Sequence, residues 1–214
     1  MNTTLKKKLT HGFLIAVEGI DGSGKSTFCA ALATTLRSHN KEVLLTKEPG
    51  ATPLGSHIRN LLMHRETALA DRAEFLLFAA DRAQHFQSVV LPALESNIFV
   101  ISDRMADSSM VYQGYGHNLD LKTIQAINTW AMYERSPDLV FFLALPAQTA
   151  YKRLIARNKP LTDFEKKIEM LQQAEHNFEK HFKNNPHVIK LNAQLSIEKN
   201  ILEALNHLTK CNVL

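Results

Sequence analysis

The stretch FLIAVEGIDGSGKST, residues 13–27, decides the fold of this chain. It places an apolar run directly before a glycine-rich turn with the spacing GxxxxGK[ST], and helix-forming residues follow. A strand, a tight loop and a helix in this order form a cradle whose backbone N–H groups point at a polyphosphate. This context makes an incidental glycine-rich turn the weaker interpretation. The stretch therefore predicts a nucleotide-binding site.

The residue types inside this loop suit contact with a triphosphate. In this motif the lysine, here Lys25, reaches the β and γ phosphates, and the hydroxyl of Ser26 is a ligand for Mg²⁺. The helix that follows offers its positive N-terminus to the same anion. The residues predicted to bind the nucleotide are Gly19, Ile20, Asp21, Gly22, Ser23, Gly24, Lys25, Ser26 and Thr27.

Length and composition predict one α/β domain over residues 1–214, since the chain is 45% hydrophobic. Lys and Arg (25) exceed Asp and Glu (21) by four, which suits small anionic substrates and is too little for a nucleic-acid surface. The basic run at residues 6–8 is interpreted as a solvated tail. No apolar run approaches the roughly 18 residues of a membrane span. Two cysteines without metal or redox spacing lead us to expect a cytoplasmic protein.

Five short β-rich runs alternate with longer helical stretches, the pattern of a parallel sheet. The runs are residues 13–18, 43–47, 98–102, 139–145 and 187–191. Ligands of such sheets bind beyond the carboxyl ends of the strands, so the polar segments at those ends are candidates for a site.

Two of these polar segments follow the second and third runs. KEPG at 47–50, with the later Arg59, could frame a pocket for an acceptor substrate, or it could be only a turn between strand and helix. In SDR at 102–104, Asp103 suits a link to a metal and Arg104 suits an anion. Asp-Arg pairs recur elsewhere in the chain, so the position after a strand carries this inference.

A long helical pattern over residues 69–94, ending near Pro92, lies between the second and third runs. Spacings of three and four place four of its side chains on one face: Phe75, Phe78, Arg82 and His85. An aromatic side chain such as Phe78 can stack on a base, although core packing explains it as well. An arginine on an apolar face needs an anionic or hydrogen-bonding partner.

The segment DSSMVYQG, residues 107–114, closely follows SDR and is rich in hydrogen-bond donors. It suits sugar or base recognition, or alternatively a helix start capped by Asp107 or Ser108. Further on, the polar break RNKPLTDFEKK at 157–167 separates two helical segments. This break is a candidate mobile lid, with an ordinary surface loop as the alternative.

Taken together, these motifs closely resemble the bacterial thymidylate kinase family of P-loop nucleoside monophosphate kinases. The resemblance runs from residue 13 to the C-terminal helix and rests on the ordered set EGIDGSGKST, KEPG, FAADRAQH, SDR and SSMVYQG. It implies the P-loop NTPase architecture, a five-stranded parallel sheet flanked by helices. It also implies phosphoryl transfer from ATP to dTMP, giving dTDP, with Mg²⁺ required and a homodimer as the assembly.

The resemblance also implies roles for residues around ATP. Lys25 and Ser26 would hold ATP and the metal, with Glu18 and Asp103 as outer metal partners. Asp21 would contact the 3′-hydroxyl of the acceptor and position its phosphate. Because that acceptor is already an oxyanion, no general base is required, and we interpret Asp21 as a positioning residue.

On the acceptor side, the resemblance implies that Phe78 stacks on thymine and that Arg82 reaches the base carbonyl or the phosphate. Arg59 and Arg104 would clamp the phosphate, and Tyr112 would crowd the 2′ position and favour deoxyribose. The remaining residues of the predicted pocket are Pro49, Ser108, Ser109 and Gln113.

The chain departs from the family pattern in two places. The family commonly carries REPGG, and here Lys47 and Ala51 replace its first and last residues, so a bidentate contact at position 47 becomes a point charge. The predicted lid, residues 153–167, lacks one of the family's arginines, and the phosphate loop carries none. We therefore expect Arg153 to stabilise the transition state, assisted by Arg157 or Lys159. The predicted catalytic residues are Lys25, Asp21, Arg104, Arg153 and Arg157.

Three other functions are consistent with the sequence. A kinase of the same class could act on another nucleotide or nucleoside acceptor. The altered lid is compatible with a nucleotide-binding protein of impaired turnover. A nucleic-acid-stimulated ATPase is the weakest of the three, because the chain has no basic stretch interleaved with aromatic residues.

Overall fold

The computed structural model describes residues 12–64, 67–157 and 167–214. In these ranges five strands form one parallel sheet in the order β2-β3-β1-β4-β5. The strands are β1 Leu14–Glu18, β2 Val43–Lys47, β3 Phe99–Asp103, β4 Leu139–Ala144 and β5 Val188–Asn192. The predicted five-stranded parallel sheet is therefore confirmed. Each strand begins and ends within one residue of its predicted limits.

Helices connect the strands, as parallel neighbours require. The helices are α1 Lys25–Ser38, α2 Pro53–Met63, α3 Asp71–His85, α4 Leu91–Glu95, α5 Ala106–Ser109, α6 Leu121–Ala131, α7 Ala147–Ala156, α8 Ile168–Phe182 and α9 Ile197–Lys210. Two π-helical turns, Phe86–Val90 and Met110–Gly116, extend α3 and α5.

The helix predicted over residues 69–94 is present but irregular. It consists of α3, the π-helical turn and α4, and it ends at Glu95 rather than near Pro92. Proline is tolerated in the first turn of a helix, where its missing N–H would have no partner. Pro92 stands in that turn of α4, so the chain continues past it.

The segment after SDR is helical, but its predicted caps are wrong. Helix α5 begins at Ala106 with Met105 as its N-cap, and the side chain of that residue makes no capping hydrogen bond. Asp107 and Ser108 lie inside the first turn. The hydroxyl of Ser108 instead donates to Glu18 Oε2 over 2.6 Å.

Strand β1 lies at the centre of the sheet, between β3 and β4, and is buried along its whole length. The chain builds β2 and β3 on one side of β1 and then crosses to build β4 and β5 on the other. Sheets of this kind bind ligands at the carboxyl ends of the strands, where the winding direction reverses. The phosphate loop follows β1, and KEPG and SDR span the carboxyl ends of β2 and β3, so all three lie at this edge.

Some expectations fall partly outside the described ranges. Residues 6–8 and 158–166, which include Lys159, are not among them, so the lid over residues 153–167 and the single domain over residues 1–214 stay predictions. Across the described ranges, the helices are all too short or too polar to traverse a lipid bilayer.

Candidate active site

A cavity of about 830 Å³ opens at the carboxyl ends of β1, β2 and β3. It brings together most of the predicted site residues: Asp21, Gly22, Gly24, Lys25, Ser26, Thr27, Pro49, Arg59, Phe78, Arg82, Asp103, Arg104, Ser108, Ser109, Tyr112, Gln113, Arg153 and Arg157. Ser23 lines a second, smaller cavity of about 300 Å³ beside it. The larger cavity therefore spans both the phosphate loop and the predicted acceptor pocket.

The phosphate loop adopts a conformation that requires glycine. Gly22 has φ 82°, and a Cβ there would stand 2.6 Å from the carbonyl oxygen of Ala150 on α7. Gly24 has φ 92° and precedes α1, and space is open where its Cβ would be. The first N–H groups of a helix have no partner within the helix itself. The loop thus leaves room at the start of α1 for an anion.

Two cations of the loop region converge on Asp21. Arg104 Nη2 donates to Asp21 Oδ1 over 2.6 Å, and Lys25 Nζ lies 3.9 Å from the same oxygen. Burial alone would raise the pKa of Asp21, but the charges of Arg104 and Lys25 outweigh it, and the pKa falls from 3.8 to about 2. Arg157 adds to this lowering. Asp21 is therefore ionised at neutral pH and is a poor proton acceptor.

Arg104 is held from several sides. Its backbone is left-handed, with φ 73°, which is uncommon for a residue other than glycine. Its Nη1 donates to the carbonyl oxygen of Gly19 over 3.1 Å and to Ser108 Oγ over 2.9 Å. The guanidinium lies 5.4 Å from the ring centre of Tyr112. These contacts fix a positive charge beside the phosphate loop.

The predicted metal ligands Ser26 and Asp103 lie side by side, with Ser26 Oγ donating to Asp103 Oδ2 over 2.5 Å. A hydroxyl and a carboxylate are oxygen ligands that suit Mg²⁺. The described residues contain no group of three or more His, Cys, Asp or Glu side chains that could hold a metal. The pair fits an ion that takes its other ligands from phosphate oxygens and water.

Glu18, predicted as an outer metal partner, has both carboxylate oxygens in hydrogen bonds. Its Oε1 accepts from the backbone N–H of Met105 over 2.8 Å, and its Oε2 accepts from Ser108 Oγ. Burial, with a contribution from Asp107, raises the pKa of Glu18 to about 7. Both oxygens of this fully buried side chain are thus engaged in anchoring the start of α5 to the end of β1, and the role of Glu18 as an outer metal partner stays a prediction.

Arg82 forms one wall of the cavity and is itself almost completely buried. Its Nε donates to Glu48 Oε2 over 2.9 Å, and its Nη1 donates to Asn128 Oδ1 over 2.7 Å. Its Nη2 donates to Ser109 Oγ and to the carbonyl oxygen of Met105, each over 3.2 Å. The expected partner of this arginine is thus Glu48, which was not predicted as a site residue.

A second layer of polar side chains supports Glu48. His85 Nδ1 lies 3.0 Å from Glu48 Oε1, and His85 Nε2 lies 2.7 Å from Thr46 Oγ1. A carboxylate only accepts hydrogen bonds, so His85 Nδ1 carries a proton and donates to Glu48, while Nε2 and the Thr46 hydroxyl share the second hydrogen bond. All three side chains are buried. The chain Thr46–His85–Glu48 therefore sets the position of Arg82.

Asp81 and Arg59 organise the turn that follows β2. Asp81 Oδ1 accepts from the backbone N–H of Gly50 over 3.0 Å, and Arg59 Nη1 donates to the carbonyl oxygen of Pro49 over 3.0 Å. Burial and the nearby carboxylate of Glu48 raise the pKa of Asp81 to about 6. Pro49 and Arg59 both line the larger cavity. The turn is therefore part of the site as well as a connection.

The two predicted lid arginines, Arg153 in α7 and Arg157 directly after it, differ in their surroundings. Arg153 lines both cavities, and its Nη2 donates to the carbonyl oxygen of Ala193, which follows β5, over 3.0 Å. Arg157 lines the larger cavity and is close enough to lower the pKa of Asp21. Sequence reasoning did not find the wall of the second cavity, which includes Leu195, Ile197 and Asn200. No motif marks these residues.

Comparison with known proteins gives a consistent family. The family model described as Thymidylate kinase matches residues 17–203. The chain is 45% identical over 143 residues to the thymidylate kinase of Halothermothrix orenii, covering 67% of this chain and 69% of that protein. It is 39% identical over 177 residues to that of Chlorobaculum tepidum, covering 82% and 83%. With the thymidylate kinase of an Exiguobacterium species the identity is 38% over 196 residues, covering 87% and 89%.

Proposed function

The chain belongs to the thymidylate kinase family, and from this we infer that it phosphorylates dTMP to dTDP at the expense of ATP. The observation that carries the assignment to this site is the larger cavity, which has the phosphate loop at one end and the buried Arg82 at the other. One cavity with two such ends can hold a triphosphate facing a monophosphate. Phosphoryl transfer asks for positioning and charge neutralisation, which these groups supply.

We propose that residues 19–27 bind the phosphates of ATP through backbone N–H groups, with Lys25 at the β and γ phosphates. Lys25 Nζ now donates to the carbonyl oxygen of Ile20 over 2.9 Å, a bond that a phosphate oxygen would replace. The paired oxygens of Ser26 and Asp103 would hold Mg²⁺. When bound, the ion neutralises charge on the phosphates. The second cavity, beside the loop, is the space for the purine base.

On the acceptor side, Phe78 would stack on thymine and Arg82 would donate to a base carbonyl or to the phosphate. Arg59 and Arg104 would clamp the acceptor phosphate. With a pKa of about 2, Asp21 would remain ionised and position the substrate rather than take a proton. The tight hold on Arg104 and Arg82 supports these roles, because charges that are already oriented need no reorganisation during the reaction.

We assign transition-state stabilisation to Arg157 ahead of Arg153, the reverse of the order expected from sequence. The influence of Arg157 on Asp21 supports this choice, because Asp21 sits where the two phosphates would meet. The bond from Arg153 to Ala193 draws that guanidinium toward the second cavity. Arg153 would therefore contact the donor nucleotide.

Steady-state assays with dTMP, dUMP, dCMP, dAMP and dGMP test this function. We expect dTMP to be the preferred acceptor, with ATP and Mg²⁺ required. Lys25→Ala should abolish turnover and leave dTMP binding intact, whereas Lys210→Ala, at the exposed end of α9, should not change the rate. Preference for an acceptor other than dTMP or dUMP would contradict the proposal. Binding of dTMP without any dTDP formation by the wild-type protein would favour the alternative of impaired turnover.

We further propose that the protein is cytoplasmic and forms a homodimer through α2, α3 and α6. Large apolar side chains are exposed on these helices, namely Leu54 and Leu61 on α2, Leu76 on α3 and Trp130 on α6. The three helices pack side by side through α3, so the side chains can belong to one surface. Exposed apolar patches of this kind mark interaction sites. Sedimentation should show a dimer that Leu61→Asp dissociates, and a monomeric wild-type protein would refute the proposal.

A further inference from the structure

A buried carboxylate lies behind the wall of the acceptor pocket. Glu74, Phe78 and Arg82 occupy successive turns on one face of α3. Phe78 and Arg82 line the cavity, and Glu74, one turn earlier, is 1% exposed. Opposite it, Gln113 projects from the π-helical turn Met110–Gly116 and also lines the cavity. Glu74 is thus placed to act on the pocket through a neighbour.

That neighbour is Gln113, whose Nε2 donates to Glu74 Oε1 over 2.9 Å. Both side chains are buried, and Gln113 is 2% exposed. A carboxylate has no hydrogen to donate, so it can face only the nitrogen of the Gln113 amide. The flipped amide would bring two oxygens together in a site with little water to screen them. Glu74 therefore fixes which end of the amide is oxygen and which is nitrogen.

This orientation bears on which pyrimidine the pocket reads. After the bond to Glu74, Gln113 keeps one acceptor, its oxygen, and one N–H. Thymine and uracil present a donor at N3 and an acceptor at O4, whereas cytosine presents an acceptor at N3 and a donor at its amino group. A glutamine amide can pair with either edge, but the positions of its oxygen and nitrogen must be exchanged between the two. An amide held in one orientation therefore pairs with only one of the two base edges.

Resting on the proposed function, we propose that Glu74 is a specificity-determining positioning residue. It holds the Gln113 amide in the orientation that pairs with the N3–H and O4 edge of thymine or uracil, and it thereby excludes cytosine. Glu74 does not line the cavity itself and acts on the base through Gln113. Discrimination of this kind is strong because the wrong base leaves buried polar groups unpaired.

Binding of dUMP and dCMP by calorimetry tests the proposal, because these two ligands differ only at the edge in question. The variant is Glu74→Gln, which keeps the shape of the side chain and lets the Gln113 amide face it either way. We expect the ratio of dCMP to dUMP dissociation constants to fall by about tenfold or more. This fall should combine tighter dCMP binding with weaker dUMP binding, and dTMP should follow dUMP in both Kd and kcat/KM.

The matched control is Asp71→Asn, which removes a carboxylate one turn earlier on α3. Asp71 lies 3.0 Å from His117 and is 57% exposed, and His117 Nε2 lies 4.0 Å from Glu74 Oε1, so this variant alters the charges near Glu74 without removing the bond from Gln113. This variant should leave the ratio unchanged. An unchanged ratio in Glu74→Gln, or an equal weakening of both ligands, would show that Glu74 is merely structural and would overturn the proposal.

A second variant keeps the proposal testable if Glu74→Gln does not fold. Gln113→Ala should weaken dUMP binding much more than dCMP binding, and adding Glu74→Gln to it should not change the ratio further. Equal weakening of the two ligands by Gln113→Ala would also overturn the proposal. Failure of the proposed function would look different, because the wild-type protein would then neither favour dTMP nor convert it to dTDP.

Discussion

The two ends of the cavity are built in different ways. The donor end, at residues 19–27, is made mainly of backbone, and its shape depends on glycines such as Gly22 at positive φ. The acceptor end is made of side chains that reach one another from distant parts of the chain. Arg82 on α3 alone binds side chains from the end of β2, from α5 and from α6.

The two ends of the cavity also differ in the charges that surround their aspartates. At the donor end Asp21 lies among cations, and its pKa is lowered to about 2. At the acceptor end Asp81 lies near the carboxylate of Glu48, and its pKa is raised to about 6. The donor end thus combines a backbone loop with arginines that are exposed at the end of α7, whereas the acceptor end has its charges paired inside the protein. We expect substitutions at the donor end to affect rate and those at the acceptor end to affect stability and substrate affinity.

The largest effect on the rate is expected at the donor end, from substitution of Arg157 or Arg153. Arg157→Ala should lower kcat by about 10³-fold, because an arginine that stabilises the transition state contributes on that scale. Arg153→Ala should mainly raise the KM for ATP, since its guanidinium points toward the second cavity. Single-turnover measurements at saturating ATP separate the two effects. Lys152→Ala, exposed on the same helix, is the control for lost charge.

The opposite result would restore the order inferred from sequence. If Arg153→Ala lowers kcat by that factor and Arg157→Ala changes it less than tenfold, Arg153 is the arginine that meets the transferring phosphoryl group.

The acceptor end is tested at Glu48, the buried partner of Arg82. Glu48→Gln removes the negative charge but keeps an acceptor, and it should lower the free energy of unfolding by about 3 kcal/mol because Arg82 is left as an uncompensated buried charge. It should also raise the KM for dTMP. Urea denaturation and steady-state assays measure the two effects.

The matched substitution is Glu179→Gln, which breaks an exposed ion pair with Lys190 at 2.7 Å. Exposed pairs contribute at most about 1 kcal/mol, so this variant should be nearly as stable as the wild type. If the two variants lose equal free energy of unfolding, the buried pair of Glu48 and Arg82 contributes no more to stability than an exposed ion pair.

The same contrast explains what the sequence could predict. The strands were predicted from apolar runs and the phosphate loop from a fixed glycine spacing. Both are local patterns of the sequence, and the strand limits and the position of the loop are confirmed. Because Arg82 lies on an apolar helix face, the sequence also predicted that its side chain has an anionic or hydrogen-bonding partner. Its identity depends on which strand end lies across from α3, and that is a property of the tertiary fold. A search of the predicted strand ends for a carboxylate could have suggested Glu48.

Other features could not be found in this way. Glu18 ends an apolar strand beside the phosphate loop, and the hydrogen bonds of its oxygens to α5 and the residue before it could not be read from that position. The bond from Glu74 to Gln113 joins residues far apart in sequence and depends on how α3 packs against a π-helical turn. The bond from Arg153 to the carbonyl oxygen of Ala193 depends on how the end of α7 lies against the chain after β5. Each of these requires side-chain geometry that no spacing encodes.

The smallest expected effect concerns the two aspartates with opposite pKa shifts. The folded pKa of Asp81, about 6, exceeds its ordinary value of 3.8, so the folded state binds more protons than the unfolded state between these values. The contribution of Asp81 to stability is therefore present at acidic pH and is lost as the pH rises through about 6. Asp81→Asn should gain stability relative to the wild type by about 1 to 2 kcal/mol between pH 4.5 and pH 7.

Asp21→Asn is the counterpart at the donor end. The folded pKa of Asp21, about 2, is below its ordinary value of 3.8, so its contribution to stability is complete above about pH 5 and is lost only in acid. The stability difference between Asp21→Asn and the wild type should therefore stay nearly constant over the interval in which Asp81→Asn gains. Urea denaturation at several pH values measures both. Parallel curves for the two variants would mean that the two ends of the cavity do not differ in charge as described, because one of the carboxylates would then titrate in the range assigned to the other.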